Sequence, residues 1–153
     1  MKKINSRKLA YLILKDIEKN KVSVKDSLDN WLSKYEIDTR DENLVRKIVY
    51  GCIENKILLD YYINQLVNNK PDLDVKILIQ IGMYQILFLD KIPNSAAVNE
   101  SVKIIKKINF RAKGFVNGVL RNFIRKKDNL KPKKKNDDYL SLKYSYPVWL
   151  VNY

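Results

Sequence analysis

Histidine is missing from all 153 residues, and cysteine occurs once, at Cys52. The first absence removes His-based nucleophile triads, the usual histidine-ligated zinc hydrolases and an imidazole base working near neutral pH. The second rules out an intrachain disulfide and fits a reducing compartment, the cytoplasm. Glycine and proline number only four each, too few turn residues for an all-β chain. The glycines stand singly or with three residues between them, so no phosphate-cradling loop or dinucleotide fingerprint can be assembled. The longest apolar stretch, 77–89, is interrupted by Gln80 and Gln85 and falls short of the ~20 residues that span a bilayer. No apolar signal region follows the basic N-terminus. The acids of the first hundred residues lack a spacing that would pair two of them. The expectation is a soluble chain with no catalytic constellation, no metal site and no cofactor of its own.

What remains is rich in apolar residues, 46% of the chain, enough for a single well-filled core. Their spacing reads as helix almost throughout. Ser6 is expected to cap a first helix reaching Asn20, with Leu9, Ala10, Ile13, Leu14 and Ile17 inward. Ser23 opens a shorter one, and Thr39 or Asp41 a third that buries Val45, Ile48, Val49 and Cys52. On that apolar side Cys52 reads as a small core residue, not a nucleophile. A fourth helix covers 58–67. Residues 74–89 are apolar on every side, the mark of a helix at the centre of a bundle. Gly82 within it costs about 1 kcal/mol against alanine, which makes sense where another helix crosses closely. Asn94 or Ser95 caps a helix over 95–108, and the last runs over 114–127 with Val116, Val119, Leu120 and Phe123 inward. The fold class is all-α, a bundle of about seven helices over 4–127. A basic and polar linker at 128–138 follows, then an aromatic-rich extension at 139–153 that reads as the truncated start of a further region.

Charge is distributed unevenly. Residues 101–135 hold thirteen Lys/Arg against one acid, Asp128, whereas the first hundred residues carry sixteen bases and fourteen acids. A merely solvated face mixes signs; a dense field of one sign attracts a polyanion. The expected partner is therefore nucleic acid. The candidate contacts are Lys103, Lys106, Lys107, Arg111, Lys113, Arg121, Arg125 and Lys126. Arg7 and Lys8 join them: in the first turn of a helix they oppose its dipole, and a docked phosphate would satisfy both cations and the free N–H groups there. A membrane surface fits less well, since neither basic helix is expected to have exposed aromatics to insert.

Several segments together resemble the NusB-like RNA-binding fold: Arg7 to Ala10, Leu44-Val-Arg-Lys-Ile-Val-Tyr-Gly51, Ile79-Gln-Ile-Gly-Met-Tyr-Gln85, Ile92-Pro-Asn-Ser-Ala-Ala-Val-Asn-Glu-Ser-Val102 and Phe115-Val-Asn-Gly-Val-Leu-Arg121. That fold occurs as a free antitermination factor and as the N-terminal domain of the RsmB/Sun (Fmu) family of 16S rRNA cytosine-C5 methyltransferases. Arg121 after Val-Leu, the Tyr50-Gly51 pair and Leu140-Ser-Leu-Lys-Tyr-Ser-Tyr-Pro-Val-Trp-Leu150 are more similar to the methyltransferase family. The resemblance implies an RNA-binding module that positions 16S rRNA for a catalytic domain of the same protein, which would use S-adenosylmethionine. The alternative it leaves open is a stand-alone antitermination factor that binds leader RNA with a ribosomal-protein partner.

Overall fold

A computed structural model describes residues 1–132, and these fold into seven α-helices and one 3-10 turn. The helices are α1 Ser6–Asn20, α2 Val24–Leu32, α3 Thr39–Glu54, α4 Lys56–Leu66, α5 Leu73–Phe88, α6 Asn94–Ile108 and α7 Lys113–Leu130, with the turn Phe110–Ala112 between the last two. The expected extension at 139–153 lies outside the described residues.

Helix α5 is the axle. Every residue from 77 to 86 is buried, and α1, α3, α4, α6 and α7 all pack on it. Its polar interruptions are satisfied in place. Gln80 Nε2 donates to Asp60 at 2.8 Å, and Gln85 Nε2 donates to the Ile81 carbonyl at 3.0 Å. Ser101 of α6 closes onto the same helix by donating to the Leu78 carbonyl at 2.8 Å. These bonds matter because an unpaired buried amide or hydroxyl costs about 1–3 kcal/mol. Close crossings need small residues. A Cβ on Gly82 would stand 2.7 and 2.8 Å from the Leu120 methyls of α7, and one on Gly51 of α3 would run into the Tyr84 ring.

Helix α7 is seated from both sides. Val116, Val119, Leu120 and Phe123 are buried, and the Phe123 ring meets Tyr62 of α4 edge-on at 5.0 Å. Near its end the Tyr61 hydroxyl donates to the Leu130 carbonyl at 2.8 Å. That contact helps explain why the helix continues three residues past 127, into the start of the expected linker. Cys52 sits in the core, 3% exposed, where burial drives its thiol pKa well up. Such a group stays protonated and unreactive.

Helix starts differ in detail from the sequence expectation. Asn5, not Ser6, caps α1: its side-chain oxygen accepts from the Arg7 and Lys8 N–H groups at 2.9 and 3.2 Å. Asp38 caps α3, and α6 begins directly behind Pro93. Ser23 does cap α2, accepting from the Asp26 N–H at 3.0 Å.

Candidate nucleic-acid interface

Helices α6 and α7 are sequence neighbours that also pack side by side, with the 3-10 turn joining them. Their apolar stripes point at α5, so their polar stripes turn outward together. On α6 the exposed residues Lys103, Lys106 and Lys107 share one face by helical periodicity. On α7 Arg121 and Arg125 stand one turn apart and exposed, with Lys126 beside them. Arg111, exposed, lies in the turn between the two helices, and Lys113, half-buried, opens α7.

Among the described residues, none of these eight cations has a carboxylate within ion-pair distance. Of the two acids on these helices, Glu100 of α6 accepts from Asn5, and Asp128 of α7 is shared by Lys127 and Lys131 at 3.5 and 3.6 Å. In residues 1–100 five of the sixteen bases make ion pairs, among them Lys15–Asp74, Lys56–Glu18 and Lys76–Asp60, so what sets α6 and α7 apart is their scarcity of acids. The two arginines are steadied without being neutralised. Arg121 Nε donates to the Asn117 amide oxygen at 3.1 Å, and Arg125 Nη2 to that of Asn122 at 3.5 Å. A planar guanidinium held this way still offers most of its donors to a phosphate.

Arg7 and Lys8 stand apart from this group. The start of α1 is tied to α6, since Asn5 Nδ2 donates to Glu100 at 3.2 Å, but Arg7 turns inward and its Nε donates to Gln85 at 3.0 Å. The two N–H groups expected to receive a phosphate are taken by the Asn5 cap. Lys8 lies 5.9 Å from the centre of the Tyr11 ring. Any phosphate contact at α1 therefore has to come from these side chains, without those two backbone donors.

The sequence reading missed the aromatics here. Phe110 is 58% exposed and Phe115 43% exposed, contrary to the expectation that the basic helices present none. The Lys113 ammonium sits 3.9 Å over the Phe110 ring. Phe115 forms one wall of an open groove of about 440 Å³, with Asn68, Lys70, Pro71 and Asn109 among the other lining residues. The signal was faint. Phe110 falls in the break between two helices, where periodicity says nothing. Phe115 lies roughly a quarter turn from the centre of the inward stripe of α7. Exposed rings are thus available to a membrane surface as well, although no described helix is long and apolar enough to cross one. Aromatic rings set among unpaired cations suit a flexible nucleic-acid strand, whose bases stack while its phosphates are held.

Comparison with known proteins settles the family. The NusB family pattern matches residues 4–125. This chain belongs to the NusB family. Two groups of relatives share the domain. The probable ribosomal RNA small subunit methyltransferase B of Synechocystis sp. is 33% identical over 156 residues, covering 97% of this chain but 34% of the relative. Its counterpart in Bacillus subtilis is 31% identical, covering 99% of this chain and 35% of the relative. The transcription antitermination protein NusB of Clostridium novyi is 35% identical over 135 residues, covering 82% of this chain and 99% of the relative. The chain thus spans about a third of the methyltransferases it matches and nearly all of the antitermination protein. The alignments to the methyltransferases take in almost the whole chain, so the likeness to them continues beyond the NusB match.

Proposed function

We propose that this NusB domain is the RNA-gripping part of an S-adenosylmethionine-dependent 16S rRNA cytosine-C5 methyltransferase, working in the cytoplasm. The observation that carries the reading is the pairing of an unneutralised cationic surface on α6 and α7 with methyltransferase relatives aligned over 97% and 99% of the chain. In this reading Lys103, Lys106, Lys107, Arg121, Arg125 and Lys126 hold phosphates. Arg111, Lys113, Phe110 and Phe115 take an unpaired stretch at the α6–α7 corner. Methyl transfer belongs to a separate catalytic region, to which this domain delivers the RNA. Its contribution is positional, lowering the entropic cost of bringing a cytosine to the transferring centre.

The test is to delete residues 1–132 from the longer protein and measure methylation of small-subunit rRNA. The expected result is a large rise in KM for the RNA with a much smaller change in kcat. An unchanged KM would contradict the proposal. A second reading, the antitermination factor, is favoured by the 99% coverage of the Clostridium novyi protein. The two part company at the gene, because a reading frame that stops close to Tyr153 would fit only the second.

A further inference from the structure

We infer that the face of α3 and α5 carrying Tyr50 and Phe88 is the seat for the remaining region of the longer polypeptide, an inference that rests on the methyltransferase reading above. Tyr50 is 41% exposed and Phe88 44% exposed. Phe88 belongs to an aromatic pair, and Tyr50 stands next to the glycine that this pair abuts. The Tyr84 ring lies against Gly51, the residue after Tyr50, so closely that a Cβ there would collide with it, and Phe88 stacks on Tyr84 at 5.3 Å. Phe88 is therefore an exposed ring held in place by a buried one. A side chain fixed before binding loses little freedom when it is covered, which is what makes a good anchor.

Three observations choose the occupant. First, the face is electrically mixed, with Lys47 and Glu54 on α3 and Asp90 and Lys91 just past α5, all exposed. That is the polar rim of a protein contact and the opposite of the one-signed surface on α6 and α7. Second, the main packing partners of α3 are α1, α2, α4 and α5. A domain seated there would use residues distinct from the cations of α6 and α7. Third, two rings a little over two-fifths exposed offer roughly 200 Å² of apolar area. A free-standing dimer needs about 1,000 Å² or more in total. A tethered domain needs less, because the tether supplies a high effective concentration. The methyltransferase relatives are about three times the length of their matched third, which provides such a domain.

The experiment compares amide exchange in the 153-residue chain and in the longer protein. Exchange over residues 47–54 and 84–91 is expected to slow about tenfold or more in the longer protein, and Tyr50→Ser with Phe88→Ser should erase the difference. RNA affinity of that double variant should stay within about twofold, since neither altered residue is among the cations assigned to phosphate. Phe88→Ser alone serves as the milder variant should the pair unsettle the fold. Equal exchange in the two lengths overturns the inference while retained RNA binding leaves the functional reading standing. A 153-residue chain that sediments as a dimer, split by Phe88→Ser, makes a second copy the occupant and also overturns it. A reading frame that ends near Tyr153 overturns the functional reading itself.

Discussion

Two glycine-to-alanine exchanges on helices in contact should have opposite effects. At Gly118 on α7 nothing lies within 4 Å of where a Cβ would stand, and the residue is exposed in mid-helix. Gly118→Ala should therefore gain only helix propensity, about 1 kcal/mol of added stability. At Gly82 the new Cβ would meet the Leu120 Cδ1 and Cδ2 at 2.7 and 2.8 Å. Carbon atoms prefer about 3.5–4.0 Å, so Leu120 would have to retreat by close to 1 Å. Leu120 is fully buried and has no open side to retreat into. Overpacking of this kind costs about 1–3 kcal/mol, against the same propensity gain of about 1 kcal/mol. Gly82→Ala should come out up to about 2 kcal/mol less stable, and Gly118→Ala about 1 kcal/mol more stable. Urea unfolding followed by far-UV circular dichroism reads both. If both variants gain stability equally, α5 and α7 do not cross at Gly82, and the placement of the cationic helix on the axle is wrong.

Removing the Phe123 ring empties the seat of α7, so Phe123→Ala should cost about 3–5 kcal/mol in the same assay; a loss under 1 kcal/mol would mean that the Tyr62 contact is not made. Asp74, Asp16 and Glu18 give the fold its pH dependence. Burial would raise the Asp74 pKa, but the Tyr11 hydroxyl at 2.5 Å and Lys15 at 2.9 Å outweigh it and hold the carboxyl below its ordinary value. Asp16 is lowered mainly by the Asn20 amide, and Glu18 by Lys56. Folded values below unfolded ones mean that the unfolded chain binds more protons as pH falls, so the stabilisation is full above the usual carboxylate pKa of about 4 and drains away beneath it. The urea midpoint should hold level from about pH 7 to 5 and drop below about 4, and Asp74→Asn should lessen that drop. Reversing charge with Arg121→Glu and Arg125→Glu should weaken RNA binding tenfold or more with an unchanged unfolding midpoint; an unchanged affinity removes both residues from the interface.

Much of the fold was legible because helical periodicity is a local property. The all-round apolarity of α5, the inward stripe Val116, Val119, Leu120 and Phe123, and the close crossing at Gly82 all follow from residues a few positions apart. The cap of α1 was misplaced by one residue because Asn5 and Ser6 are both able caps, and only backbone geometry separates them. The Tyr84 ring against Gly51 joins helices more than thirty residues apart and leaves no trace in either segment. The same limit applies to the candidate interface. Its cations were visible as a run of one sign, yet the two phenylalanines were not, since one sits in a helix break and the other at the edge of an apolar stripe. Arg7 was legible as an unusual cation in a first turn, but its bond to Gln85 spans 78 positions.

If α6 and α7 present unneutralised charge to an RNA backbone, a salt titration of RNA binding by the 153-residue chain will reveal it. With about 4–6 phosphates neutralised on a flexible strand, log K should fall against log salt with a slope of about −3 to −4. A flat titration would mean that these lysines and arginines do not hold phosphate, and the account would be wrong.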